Sequence, residues 1–164
     1  MATSQTKRRA SRGKLEAALA GAERLCRDSD IRLTSKRRRL LASLVQATGP
    51  LSAYELAQAY RDENGEELPV MTVYRMLDVF MEAGVVHKLR STNQYMPCSH
   101  IACDHPHARA QFLICDGCGL VREMDFAEKE LRQLDRKARS SGFHLFRDQL
   151  ELHGLCDSCQ GGAG

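Results

Sequence analysis

Two Cys-x-x-Cys pairs, Cys115/Cys118 and Cys156/Cys159, are the residues of this chain best suited to chemistry. Thiolates in two tight pairs favour a tetrahedral zinc site. Each pair grips the metal from one turn, and the chain between them must fold back to unite the turns. Cys115-Asp-Gly-Cys118-Gly carries glycine for a tight turn, and Cys156-Asp-Ser-Cys159 carries Asp and Ser, which also suit turns. The competing chemistry is a redox dithiol, which needs one such pair in a strand–helix context rather than two. Closed and fully thiolate, the four cysteines suit a structural role better than a sensing one.

The composition sets the frame for that site. A chain of 164 residues allows one ordinary domain or two small ones. Small domains gain from metal or dimerisation, because little core is available to each. No apolar run approaches the roughly 18 residues of a membrane span, and the basic N-terminus lacks the apolar stretch of a signal peptide. The expectation is a cytoplasmic protein whose thiols stay reduced. The odd count of seven cysteines agrees with that. The net charge of +3 hides an asymmetry: residues 1–40 hold 12 Lys/Arg against 4 Asp/Glu, and the remainder holds 12 against 17. The run Lys36-Arg37-Arg38-Arg39 and the cluster Lys7-Arg8-Arg9 point to a polyanion, of which nucleic acid is the commonest. A solvated tail and helix face would carry the same charges.

The elements that must position these residues follow from periodicity. Residues 1–13 read as a disordered basic tail. Leu15, Ala18, Leu19, Ala22 and Leu25 recur at helical spacing, predicting a helix over about 14–27 with Cys26 packed beside it. Thr34 suits the N-cap of a second helix, which Gly49-Pro50 ends. Ser52-Ala-Tyr-Glu55 is a capping box for a third. Thr72 opens a fourth, closed by Gly84. The apolar period then falls from 3.6 to 2 over residues 85–96, the mark of a β-hairpin. Helices followed by a hairpin form a winged helix, over residues 14–96. Residues 97–110, rich in His and Cys, read as a hinge. Residues 111–164 read as strand, knuckle, helix, strand, knuckle, with Asp125 capping the helix, Ala127, Leu131, Leu134 and Ala138 on its inner face, and a last strand within 143–155. The fold class is α/β (α+β): a winged helix plus a small zinc-containing dimerisation domain with an open strand edge.

In a winged helix the element before the hairpin enters the major groove. Here it holds Thr72-Val-Tyr74-Arg75. Thr72 and Tyr74 can reach phosphates or a thymine methyl, and Arg75 has the fork for guanine O6 and N7. Tyr54, near the start of the preceding helix, can touch backbone or base. Each of these can equally be an ordinary surface residue.

Taken together, several of these segments resemble the ferric uptake regulator family. They are Arg32-Leu-Thr34 before a basic helix, Thr72-Val-Tyr-Arg75-Met-Leu, Gly84-Val-Val-His87, Phe112-Leu-Ile-Cys115-Asp-Gly-Cys118-Gly and the late Cys-x-x-Cys. The segments Ser91-Thr-Asn-Gln-Tyr-Met-Pro-Cys98 and His153-Gly-Leu-Cys156 are similar to the family's zinc uptake regulator branch. The likeness runs in unbroken order over about residues 20–160. It implies a dimeric, metal-dependent repressor that binds palindromic operators of metal-import genes.

The resemblance also assigns a second, regulatory metal site to His87, Cys98 and Glu123. Its fourth ligand is a hinge histidine. The hinge holds His100, Cys103, His105 and His107 and is one residue longer than the family pattern, so the assignment to His107 leaves His105 as the alternative and Cys103 without a fixed role. Two imidazoles, a thiolate and a carboxylate suit tetrahedral zinc, and two anionic ligands neutralise its charge. The soft thiolate favours zinc over iron or manganese, although affinity order leaves copper open. The resulting expectation is two zinc ions per subunit, a homodimer and double-stranded DNA as partner. An iron- or peroxide-responsive regulator of the same family is the nearest alternative, and a zinc-ribbon metal chaperone a more distant one. A zinc deaminase would need His-x-Glu with Pro-Cys-x-x-Cys; no His-x-Glu occurs, and Pro97-Cys98 lacks the second cysteine. No enzymatic activity is expected.

Overall fold

A computed structural model of the chain describes residues 11–101, 110–146 and 149–161. It divides into two units, Met1–His105 and Pro106–Gly164. Residues 1–10 of the proposed tail (1–13) and most of the proposed hinge, including Cys103, His105 and His107, lie outside the described residues.

In the first unit, Ser11 opens α1 (Arg12–Asp28), its hydroxyl accepting from the Lys14 amide. Residues 12 and 13 are therefore helical, and the helix begins sooner than its apolar stripe suggests. Ala18, Leu19, Ala22 and Cys26 are buried along one face. Thr34 caps α2 (Ser35–Gln46) by accepting from the Arg37 amide, and Leu40, Leu41 and Leu44 enter the core. This helix stops before the Gly49-Pro50 signal. Ala47 turns extended, and the chain runs on to carry Leu51 to the hairpin.

Ser52 and Glu55 form the anticipated capping box of α3 (Ala53–Asn64), and Gly65 closes the helix at φ +65°. The next helix, α4 (Val70–Glu82), starts two residues before Thr72, with Pro69 at its N-cap. Proline is fixed near the helical φ, and its carbonyl accepts from the Thr72 and Val73 amides. Gly84, at φ +69°, sits one residue past the cap. There the Val85 amide donates to Phe80 O and the Gly84 amide to Met81 O, a Schellman close. The hairpin follows as β1 (Val86–Leu89) and β2 (Gln94–Pro97), paired Val86↔Pro97 through Leu89↔Gln94. Leu51 adds a short third rung, exchanging two hydrogen bonds with Tyr95. Helices α2 to α4 with this ribbon make the winged helix, and α1 is an added helix packed on α2.

The second unit contains β3 (Ala110–Cys115), β4 (Val121–Met124), α5 (Glu128–Ser140), β5 (Gln149–Gly154) and the single turn α6 (Asp157–Gln160). The sheet order is β4-β3-β5, with β4 antiparallel and β5 parallel to β3. Four expectations need correction here. The short β4 was not anticipated, because four residues straight after a knuckle carry too little periodicity. Helix α5 begins after Ala127 rather than at Asp125. The buried Gln111 accepts from the Phe126 amide at 3.1 Å and holds the chain extended past Asp125. The last strand is confined to Gln149–Gly154, and residues 143–146 form neither helix nor strand. The face assigned inward on α5 is also only partly so: Leu134 remains 42% exposed, whereas Asp135 is buried.

Candidate metal centre and nucleic-acid interface

Parallel pairing of β3 with β5 places Cys115 opposite Gly154, so the two knuckles leave the same end of the sheet. The four thiols Cys115, Cys118, Cys156 and Cys159 lie within 4.8 Å of one another. Cys118 Sγ and Cys156 Sγ are 3.7 Å apart. A tetrahedron with metal–sulfur bonds of about 2.3 Å has edges of about 3.8 Å, so the spacing fits zinc. Two glycines serve this site for different reasons. Gly119 adopts φ +69°, which the turn requires. At Gly117 a Cβ would lie 3.0 Å from both Cβ and Sγ of Cys159, so a larger residue would press the second knuckle back by a few tenths of an ångström.

Backbone amides aim at one of these sulfurs. The amide of Cys156, followed by those of Cys118 and Gly117, draws the Cys115 thiol down to about 6 and favours its thiolate. Cys159 is pushed up to about 12, first by its hydrogen bond with Cys118 and then by those with Cys156 and Cys115, which favour its protonated thiol. A dication is the counter-charge such a set lacks. His153 Nδ1 lies 2.7 Å from Asp116 Oδ1 and ties β5 to the first knuckle.

The second candidate set lies partly in the hairpin. Val86↔Pro97 and His87↔Met96 fix the register, and the Cys98 amide donates to Val85 O at 3.0 Å. His87 and Cys98 are thus diagonal neighbours on one face of the ribbon. Their ligand atoms come within 4.8 Å of each other. Cys98 is 1% exposed and His87 half-buried. Cys98 belongs to the end of the ribbon rather than to a loose linker. Glu123 lies in the second unit, on β4, paired with Phe112.

Helix α4 turns Val73, Leu77 and Phe80 inward and leaves Met71, Arg75, Asp78 and Glu82 exposed. Thr72 is half-buried. Tyr74 is half-buried as well, with its ring edge-on to Tyr95 at 6.5 Å, so packing occupies much of it. Tyr54 on α3 is 67% exposed. The basic run of α2 is largely engaged within the unit. Lys36 and Arg39 pair with Glu66 at 2.6 and 3.2 Å, Arg38 pairs with Glu23, and Arg37 donates to Arg32 O.

The model of the ferric uptake regulator family matches residues 28–153. The chain belongs to this family. It is 40% identical over 141 residues to the zinc uptake regulation protein of Escherichia coli (strain K12), covering 86% of this chain and 80% of that one. The peroxide operon regulator of Bacillus subtilis (strain 168) is 28% identical over 134 residues, covering 81% and 87%. Among solved structures, a zinc uptake regulator complexed with zinc and DNA superposes with a TM-score of 0.75 at 36% identity, covering 90% of this chain and 96% of that chain.

Within this ferric uptake regulator family member, sequence reasoning missed the Glu66 hub. Its cue was faint: one of two adjacent acidic residues, Glu66 and Glu67, in a short loop far in sequence from the Lys36–Arg39 run. It also missed Gly117 as a spatial requirement, because a close approach between knuckles has no local signature. Among the described residues, no helix is long and apolar enough to cross a membrane.

Proposed function

We infer that this chain is a zinc-responsive transcriptional repressor that binds operator DNA as a dimer and controls genes of zinc uptake in the cytoplasm. One observation carries the reading. A fifth thiol, Cys98, lies beside His87 on the ribbon, apart from the four-thiol cluster. A soft ligand beside an imidazole suits zinc better than iron or manganese. The likeness to zinc uptake regulators, closer than that to the peroxide regulator, supports the same choice.

The reading gives the chain two zinc ions per subunit. Cys115, Cys118, Cys156 and Cys159 hold the structural one. His87, Cys98, Glu123 and one hinge histidine, His107 or else His105, hold the regulatory one. Bound there, zinc supplies a cross-link between ribbon, hinge and β4. The two α4 helices of a dimer then keep one separation, and half-sites about one helical turn apart demand that. Tyr54, Thr72, Tyr74 and Arg75 supply the contacts to DNA. By linkage, zinc and operator each tighten the other's binding, typically by about 1–3 kcal/mol.

The test is a gel-shift with promoter DNA of zinc-import genes from the source genome. Zinc, iron(II), manganese(II) or chelator is added to the metal-stripped regulatory site. Retardation restored by zinc alone is expected. Restoration by iron alone, or binding that ignores the chelator, would sink the zinc assignment.

A further inference from the structure

The exposed stripe of α4 changes character along its length. Met71, Arg75, Asp78 and Glu82 follow one another at helical spacing on the solvent side. The first two are apolar and cationic, the last two anionic. Only the N-terminal half can approach a polyanion, since Asp78 and Glu82 would be repelled by phosphates. That half contains one conspicuous side chain, Met71, which is 65% exposed in the first turn.

A large apolar side chain left in water at this place calls for an occupant. In the first unit, the exposed large hydrophobic residues among those described are Tyr54 and Met71. They lie on the two helices of the helix-turn-helix, and in α4 Val73, Leu77 and Phe80 are buried while Val70, Tyr74, Met76 and Met81 pack partly against the core. Single exposed apolar residues are ordinary on protein surfaces. What distinguishes Met71 is its position one turn ahead of Arg75, on the stripe that would face base edges. The apolar feature of the major groove is the thymine 5-methyl group. Methionine, unbranched and polarisable, adapts to such a small target.

We propose that Met71 is a specificity-determining residue that packs against a thymine methyl in each operator half-site, next to the base pair read by Arg75. The proposal rests on the DNA-binding reading above. Thr72 is the competing methyl-bearing side chain of that turn, but it is half-buried and lies off the exposed stripe.

The experiment uses the full zinc-loaded protein. Wild type first enriches duplexes from a randomised pool. Each thymine of the enriched sequence is then replaced by uracil, which removes only the methyl, and affinities are measured for wild type and Met71→Ala. At one thymine per half-site, uracil weakens wild type about four-fold, roughly the value of one buried methyl. The same replacement leaves Met71→Ala unchanged, and the two proteins keep equal salt dependence. Thr72→Ser, which deletes the competing methyl, retains the uracil sensitivity. The proposal is overturned if no thymine is uracil-sensitive, if Met71→Ala responds as wild type does, or if the sensitivity disappears in Thr72→Ser instead. A wild-type protein that enriches no duplex overturns the DNA-binding reading itself, and the two failures are therefore distinct.

Discussion

The buried hydroxyl of Tyr60 donates to Glu66 Oε2 across 3.0 Å, while the guanidinium of Arg39 lies over the Tyr60 ring at 5.7 Å and reaches the same carboxylate. Glu66 thereby joins α3, the turn before α4 and the basic run of α2. Tyr60→Phe keeps the packing and removes one hydrogen bond to a charged acceptor. It should lower unfolding stability, read as an earlier urea midpoint at unchanged slope.

The same carboxylate gives stability a pH dependence. Lys36, then Tyr60, holds the Glu66 carboxyl below its ordinary range. A depressed acid stabilises the fold above its unfolded value and loses that contribution as pH falls through the folded one. Glu66→Gln should flatten the acid limb of urea stability relative to wild type while leaving the limb above neutral parallel. Loss of metal by protonated cysteines affects both proteins and cancels in the comparison.

Ser52→Ala deletes one half of the α3 capping box, in which Ser52 Oγ accepts from the Glu55 amide at 3.2 Å. The cost should be about 1 kcal/mol. Thermal unfolding checks it, and restoration by Ser52→Thr or Ser52→Asp would identify capping as the cause.

Removing a metal ligand should separate the two proposed sites. Cys118→Ser should remove one zinc per subunit and unfold the second unit, because closing such a knuckle contributes directly to folding. Cys98→Ala should keep the fold and one zinc, but abolish the dependence of operator binding on added zinc. Elemental analysis with circular dichroism distinguishes these outcomes.

Arg75 and Arg38 offer a matched contrast. Arg75→Ala should cost operator binding about 1–3 kcal/mol and relax preference at one base pair. Arg38 is committed to Glu23 within the unit. Arg38→Ala should leave sequence preference intact and change salt dependence little, as measured by anisotropy over a salt series.

Features encoded by neighbouring residues were readable from sequence. The Ser52/Glu55 capping box and the Thr34 cap depend on side chains within a turn of the backbone groups they satisfy, and the Gly84 stop on one residue's positive φ. The cysteine pairs announced themselves by spacing. What sequence hid was tertiary: the meeting of Lys36, Arg39 and Tyr60 on Glu66, the Gln111 amide that delays α5, and the half-buried state of Tyr74 against Tyr95. Charge runs are also poor guides to charge available, since ion pairing within the first unit engages Lys36, Arg38 and Arg39. His87 and Cys98 fall on one face only because of the ribbon register, which eleven residues of sequence do not display.

The pairing of β3 with β5 sets a timetable for the nascent chain. Cys115 and Cys118 are synthesised first, yet their partner knuckle follows only after the α5 crossover and β5. At about 5–20 residues per second, the ribosome leaves the first pair as a bare dithiol for about 2–8 s before Cys156 exists. During that interval the first pair has no partner knuckle with which to close a four-thiol site. The four-thiol site can therefore form only after the parallel β3–β5 pairing, so its assembly waits on the last strand of the fold.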